Sequence, residues 1–309
     1  DAAAATGVQA IKLQTYTADT ITMENVFTIN DSNSLWKGKD LHTLYTEAYT
    51  PWEWHAPIFE RAKQKGLICF SSPFDESSVD FLETLNVPCY KIASFENTHH
   101  PLLKKVAGTG KPIIMSTGVA SFDDIKESIE VLRKNGCKDL VLLKCTSTYP
   151  ASPENTNILT IPDMIEKFAC LVGLSDHTMG IGVSIGAVAL GASVLEKHFT
   201  LRRADGGVDS AFSMEPAEMK MLVEESEKAW LARGKVSYEL TEKEQSSLVF
   251  KRSIYISEDV EEGTIITEKN IRVIRPAMGL APKYYFEILG KKFNKKLKKG
   301  TPLKMGDIG

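Results

Sequence analysis

The chain has 309 residues, 43% of them hydrophobic and 25% charged, enough for one large domain of barrel size and a small appended module. Its net charge of -3 excludes the global basic field of a nucleic-acid or anionic-membrane binder, so a phosphorylated substrate has to be held by local cations. No apolar run reaches the roughly 18 residues that span a bilayer, no signal peptide is expected, and the five cysteines (Cys69, Cys89, Cys137, Cys145, Cys170) form no CxxC pair and read as free thiols of a reducing cytosol.

The opening Asp1-Ala2-Ala3-Ala4-Ala5-Thr6-Gly7 reads as the end of a helix and its glycine cap, which predicts a first strand and most of a first helix upstream of this numbering. From Val8 to about Phe199, short apolar runs alternate with amphipathic segments. The runs are 10–16, 67–72, 89–94, 112–117, 140–146, 171–177 and 193–199. Near-continuous apolar runs mark strands buried on both faces, and this alternation predicts parallel βα units. The helix predicted over 121–135 has Ser121 as N-cap, Asp123 and Asp124 in its first turn where the dipole favours acids, and Gly136 as C-cap. Seven strands are counted, and a closed barrel has eight. The expected fold is therefore a TIM-type (β/α)8 barrel whose first strand precedes the numbering, with a doubly wound open sheet as the rival. Residues 214–231 read as a final helix. The predicted boundaries are a barrel over 1–233, a linker over 234–249 and a small β-rich domain over 250–309, whose 261–266 and 298–303 stretches are two similar charged-Gly-Thr turns. So small a domain buries only a modest core and is expected to dock on something.

Polar residues gather where the runs end: Lys12; Ser71 and Ser72; Lys91, Ser94 and Glu96; Ser116 and Thr117; Lys144 and Ser147; Ser175, Asp176 and His177; Glu196, Lys197 and His198. In barrels that end is where chemistry is done. Lys12 and Lys91, with Lys144 in the same discussion, are costly to bury unless they meet an anion. With the serine hydroxyls they describe a pocket for a phosphate and a nearby carboxylate; pairing with structural carboxylates and a Schiff-base lysine are the competing readings. His177 and His198 end consecutive strands and could converge on one ion, with Asp176, Glu196 or Asp209 orienting them or completing the shell. Two histidines with waters suit Mn²⁺, Fe²⁺ or Zn²⁺, and Mn²⁺ where oxygen ligands dominate. His42, His55, His99 and His100 are assigned solvated or capping roles. Trp36, Trp52 and Trp54 are assigned to packing, with a sugar-facing aromatic as the alternative. Arg275 sits in a turn-rich loop, Arg275-Pro276-Ala277-Met278-Gly279-Leu280, and reads by itself as an ordinary surface cation.

Taken in order, Ile11-Lys12-Leu13-Gln14-Thr15-Tyr16, Phe70-Ser71-Ser72-Pro73-Phe74, Tyr90-Lys91-Ile92-Ala93-Ser94-Phe95-Glu96, Met115-Ser116-Thr117-Gly118, Lys144-Cys145-Thr146-Ser147-Thr148-Tyr149-Pro150, Gly173-Leu174-Ser175-Asp176-His177-Thr178 and Glu196-Lys197-His198-Phe199-Thr200 resemble the sialic acid synthase family over nearly the whole chain. Within it, Leu35-Trp36, the segment Thr50-Pro51-Trp52-Glu53-Trp54-His55 and the run from Arg275 to Tyr285 look most like the pseudaminic acid synthase branch. The C-terminal part resembles a SAF (antifreeze-like) domain, through Asp259-Val260-Glu261-Glu262-Gly263 and Thr267-Glu268-Lys269-Asn270-Ile271.

The resemblance implies a condensation of phosphoenolpyruvate with an amino-sugar, 2,4-diacetamido-2,4,6-trideoxy-L-altrose for the pseudaminate branch, with N-acetylneuraminate or legionaminate synthesis as the alternative. It implies that Lys12, Ser72, Lys91, Ser94, Ser147 and Ser175, with Ser116 added, hold phosphoenolpyruvate. His177 and His198 would ligate a divalent metal, Mn²⁺ before Mg²⁺ or Co²⁺. Glu96, Tyr149 and Asp209 would face the sugar, and Arg275 would reach over the barrel mouth of a partner in a domain-swapped homodimer. Lys12, Lys91, His177, His198 and Asp209 are the implied catalytic set. Ser147 stands where the sialic-acid branch usually carries Asn, and the Glu and Asn-His pair of the family's first strand are not in this sequence.

Overall fold

A computed structural model describes residues 1–30 and 36–309; Leu35 of the Leu35-Trp36 pair lies outside the described residues. The chain divides into two compact units, Asp1–Gly234 and Lys235–Gly309.

The first unit is built on strands β1 (Ala10–Thr15), β2 (Ile68–Pro73), β3 (Tyr90–Ile92), β4 (Ile113–Ser116), β5 (Leu140–Cys145), β6 (Leu171–Ser175) and β7 (Leu195–Glu196). Their spatial order is their chain order, and every neighbouring pair is parallel. Parallel neighbours need long crossovers of one hand, so the helices fall on one face of the sheet. A doubly wound sheet reverses its order at a switch point, and the described strands have none. Helices α1 (Ala2–Ala5), α2 (Ala18–Ile21), α3 (Leu41–Ala48) and α4 (Trp52–Gln64) flank β1. Then come α5 (Glu76–Thr84), α6 (His100–Ala107), α7 (Phe122–Lys134), α8 (Thr160–Phe168) and α9 (Gly182–Ala189), each following its strand, and α10 (Pro216–Arg233) after β7. The helix expected over 121–135 is α7, held at its start by a reciprocal Ser121–Asp124 capping box.

The core lies between sheet and helices. Tyr90, Ile92, Ile113, Met115, Leu140, Leu142, Val172 and Leu174 face outward from the strands and pack in one cluster with Leu82, Leu102, Leu103, Val106, Leu132, Ile161 and Met164. Because strand residues alternate faces, the residues between them point the other way, into the barrel. The two ends of the strand order nevertheless meet: Lys12 Nζ on β1 lies 4.0 Å from Glu196 Oε2 on β7. Such a contact is out of reach in an open sheet, so the seven strands curl as a TIM-type barrel does. Val8, just before β1, packs with Met214, Met219 and Leu222 beyond β7.

Two buried polar clusters sit on the outer, helix-facing side. His55 of α4 is wholly buried, and its Nε2 is 2.8 Å from Thr15 Oγ1, itself 2.6 Å from Ser71 Oγ. It is therefore a core residue joining α4 to β1 and β2, not the solvated or capping residue expected, and burial lowers its pKa. Of the others, His99 does cap a helix, accepting the Leu102 N–H at 3.1 Å, and His42 pairs with exposed Asp19. The second cluster is an ion pair: Lys197 Nζ donates to Asp176 Oδ2 at 2.9 Å with both side chains almost inaccessible. Ser184 Oγ and the Thr178 N–H also donate to Asp176, and Lys197 donates to the Thr178 and Gly180 carbonyls, so both charges are hydrogen-bonded throughout.

The second unit opens with α11 (Glu242–Ser247), capped by Thr241 within the stretch read as linker. Strands β8 (Ser253–Ile256) and β9 (Ile271–Ile274) pair antiparallel, and α12 (Tyr285–Ile288) follows. Ile254, Ile256, Val260, Ile266, Ile271, Ile288, Phe293, Leu297 and Leu303 form its own core. The two charged-Gly-Thr turns carry Gly263 and Gly300 at φ +79° and +81°, where a side chain would be strained. No described helix is long and apolar enough to cross a membrane.

Removing one partner of a buried, hydrogen-bonded ion pair strands the other charge. Asp176→Ala is therefore expected to destabilise the first unit by about 3–5 kcal/mol, read as a lower midpoint in urea unfolding; an unchanged midpoint would contradict the structural role assigned to this pair.

Candidate active site

Parallel order brings all seven C-terminal strand ends to one mouth, and alternation decides which residues look into it. Lys12 on β1, Ser72 on β2, Lys91 on β3, Ser116 on β4, Ser175 on β6 and Glu196 on β7 share the inward face. Their contacts agree. Lys91 Nζ, 2% exposed, donates to Ser116 Oγ at 2.6 Å and to the Ile92 carbonyl at 3.1 Å, and lies 3.5 Å from Glu196 Oε1. Ser175 Oγ donates to the same Glu196 oxygen at 2.9 Å.

Glu196 thus has two cations, Lys91 on one oxygen and Lys12 on the other. Burial alone would raise its pKa, but the two ammonium groups and the Ser175 hydroxyl hold it at about 2. Burial pulls Lys91 below its ordinary range, while Glu196 pulls it back up. Two ammonium groups thus share one carboxylate at the base of the mouth, with Glu96 also under the pull of Lys91 and Asp209 under that of Lys12. The carboxylate reading of Lys12 and Lys91 therefore applies.

Beside this cluster the loops after β3, β4 and β5 converge. The Gly118 N–H donates to Ser94 Oγ at 3.2 Å. A Cβ at Gly118 would lie 2.6 Å from Ser94 Oγ and would collide with Ser147 Oγ, so only glycine lets the backbone approach both hydroxyls. Among the described residues Ser72 Oγ and Glu96 Oε2 are buried without a hydrogen-bond partner, as is Thr178 Oγ1. Burial pushes the Glu96 carboxyl up to about 7 against the pull of Lys91.

On the far side of Glu196 stand the histidines. The His177 and His198 rings are 5.3 Å apart, and Tyr149 packs edge-on to both at 4.6 and 6.4 Å. His177 Nδ1 lies 3.2 Å from the Thr146 carbonyl, and His198 Nδ1 lies 3.6 Å from Asp209 Oδ2. Burial, with repulsion from Lys12 and His177, drops the His198 pKa to about 3, and burial raises that of Asp209. Among the described residues no cluster of three or more His, Cys, Asp or Glu is gathered for a metal. What stands there is two imidazoles tilted 49° to each other, His198 held neutral, which is the form a metal ligand must take.

The structure thus brings together every barrel residue of the expected site: Lys12, Ser72, Lys91, Ser94, Glu96, Ser116, Ser147, Tyr149, Ser175, His177, His198 and Asp209. Arg275 belongs to the second unit, at an exposed position just after β9. Two suggested helpers lie elsewhere. Asp176 turns outward to Lys197, and Lys144 turns outward to Thr146 Oγ1 at 2.9 Å. Sequence reasoning missed Cys145 and Tyr16. Cys145 Sγ lies 3.9 Å from His177 Nδ1 and 3.6 Å from Ser147 Oγ; burial pushes its thiol up, but these partners and Ser94 bring it down to about 7. Tyr16 meets Tyr45 and Phe74 edge-on at the mouth. Both have the parity of an inward residue, a signal available once strand direction is fixed. A surface groove of about 710 Å³ lies between the 153–163 segment and the start of α9 and gathers none of these groups.

A parallel barrel with a lysine and serine cluster and a histidine pair at its C-terminal mouth is the design of an enzyme. The chain belongs to the NeuB family, which it matches over residues 1–238, and residues 251–309 match the SAF domain. It is 43% identical to the pseudaminic acid synthase of Campylobacter jejuni, over 99% of this chain and 90% of that protein. It is 40% identical to the N,N'-diacetyllegionaminic acid synthase of the same organism, over 77% of this chain and 72% of that protein. Among solved structures it is similar to the N-acetylneuraminic acid synthetase of Leptospira borgpetersenii in complex with citrate, with a TM-score of 0.72 and 30% identity over 80% of this chain and 82% of that one.

His198 is expected to stay neutral across the physiological range. In a histidine-selective NMR titration of the apoprotein its ring signals should remain flat from pH 8 to pH 5; a midpoint for His198 near 6.5 would contradict the geometry.

Proposed function

We propose that this chain is a pseudaminic acid synthase, condensing phosphoenolpyruvate with 2,4-diacetamido-2,4,6-trideoxy-L-altrose and water to give pseudaminate and phosphate. The observation that carries the reading is the double lysine cluster on Glu196, with the serine cradle beside it, in a chain whose similarity to a pseudaminic acid synthase runs almost end to end.

In this reading the phosphate of phosphoenolpyruvate meets the ammonium groups of Lys12 and Lys91, and hydroxyls of Ser72, Ser94, Ser116, Ser147 and Ser175 bind its oxygens. Glu196 keeps both ammonium groups aimed at the anion. Tyr149 and Asp209 border the sugar aldehyde, and Glu96, poised near neutrality, holds or releases a proton at the mouth. A divalent ion, Mn²⁺ before Mg²⁺ or Co²⁺, bound by His177 and His198 would supply Lewis-acid polarisation of the aldehyde. The new bond joins C3 of phosphoenolpyruvate to the aldehyde carbon, water adds at C2, and phosphate leaves with C–O cleavage. Preorganised charge and the orientation of two substrates supply the rate. We place the reaction in the cytoplasm, which suits five free cysteines, and assign Arg275 to the barrel mouth of the partner in a domain-swapped homodimer.

With phosphoenolpyruvate and Mn²⁺, the protein should release phosphate with the altrose derivative and not with N-acetylmannosamine, the product identified by mass. Turnover with N-acetylmannosamine alone would move the chain to the sialic branch. Borohydride with pyruvate should trap no covalent lysine adduct; trapping at Lys91 or Lys12 would favour a Schiff-base aldolase. Separately, His198→Ala should abolish turnover and lower bound Mn²⁺, measured by elemental analysis, while a variant keeping the wild-type rate and metal content would remove His198 as a ligand.

A further inference from the structure

Nothing in the chemistry above explains Asn97, a polar side chain only 4% exposed, one residue past Glu96. Its Nδ2 donates to two carbonyls of the neighbouring loop, Ser116 at 3.3 Å and Gly118 at 3.0 Å. Its own carbonyl accepts from Ser128 Oγ of α7 at 2.6 Å, and its N–H reaches back to the Ser94 carbonyl at 3.5 Å. The two carbonyls bracket the residues of the cradle: Ser116, which receives Lys91, and Gly118, whose N–H meets Ser94 and whose backbone abuts Ser147. Asn97 therefore spans the loops after β3 and β4 from behind, and Ser128 braces it against a helix fixed by its capping box.

We propose that Asn97 is a positioning residue for the anion cradle: it sets the height of the 116–118 backbone, and through it the spacing of the Ser94, Ser116 and Ser147 hydroxyls. It touches no substrate. The assignment rests on the reading of that cradle as the phosphoenolpyruvate site. An amide is needed because both partners are acceptors, and one NH₂ group serves both. Asn97→Asp keeps the shape, removes both donors and turns a negative charge towards two carbonyl oxygens.

The test is calorimetric titration of the full-length protein with phosphoenolpyruvate alone, comparing wild type, Ser94→Ala, Asn97→Asp and Ser128→Ala. Loss of two buried hydrogen bonds predicts a Kd about tenfold or more higher for Asn97→Asp, with stoichiometry still one per chain, and a smaller rise of about two- to fivefold for Ser128→Ala. An unchanged Kd for Asn97→Asp beside a raised Kd for Ser94→Ala would overturn the positioning role and leave the cradle standing. A fall in stoichiometry at unchanged Kd would reduce Asn97 to a folding role and overturn it equally. An unchanged Kd for Ser94→Ala would remove the cradle reading and this inference with it. Should Asn97→Asp fail to fold, Ser128→Ala decides: a Kd equal to wild type overturns the proposal.

Discussion

Two lysines on one half-buried carboxylate organise this barrel. Lys12 and Lys91 approach Glu196 from β1 and β3, while Glu196 stands on β7 at the other end of the strand order. The interaction is at once architectural and chemical. It draws the two ends of a seven-stranded sheet towards each other, and it gathers two lysines around one carboxylate. Burial makes such a concentration of charge expensive, and in the proposed function a small anion would relieve it. The serine cluster and the histidine pair lie on either side of it.

The fold was legible because its period is simple. Continuous apolar runs alternating with amphipathic segments gave seven parallel strands, and the polar residue at each run's end gave the mouth. The inner faces were harder to read. A run such as Leu140–Cys145 is apolar on both sides, so nothing local says whether Lys144 or Cys145 looks inward; only the outward packing of Leu140 and Leu142 decides it. The same ambiguity let Asp176 pass as a helper of the histidines when it belongs to the core.

Asn97 left no trace in the sequence for a different reason. Its partners are backbone carbonyls of a loop about twenty residues away, and a carbonyl has no residue identity to recognise. His55 is similar. Buried and tied to Thr15 and Ser71, it reads like any histidine on an amphipathic helix until the register of β1 and β2 is known. Polar side chains that serve main chain or distant hydroxyls are the part of a site that pattern alone does not reach.

The tripeptides Ser175-Asp176-His177 and Glu196-Lys197-His198 run side by side and are built alike. The middle residues turn out and clasp each other, while the flanking residues turn in towards the substrate space. Lock and chemistry are therefore interleaved one residue apart on the same two segments. A single-residue insertion or deletion in either would bring the ion pair into the barrel and send a histidine into the core. The loops beyond can change length and carry new specificities, but these two triplets are fixed in length as well as in composition, a constraint on drift that operates before any residue of the site is altered.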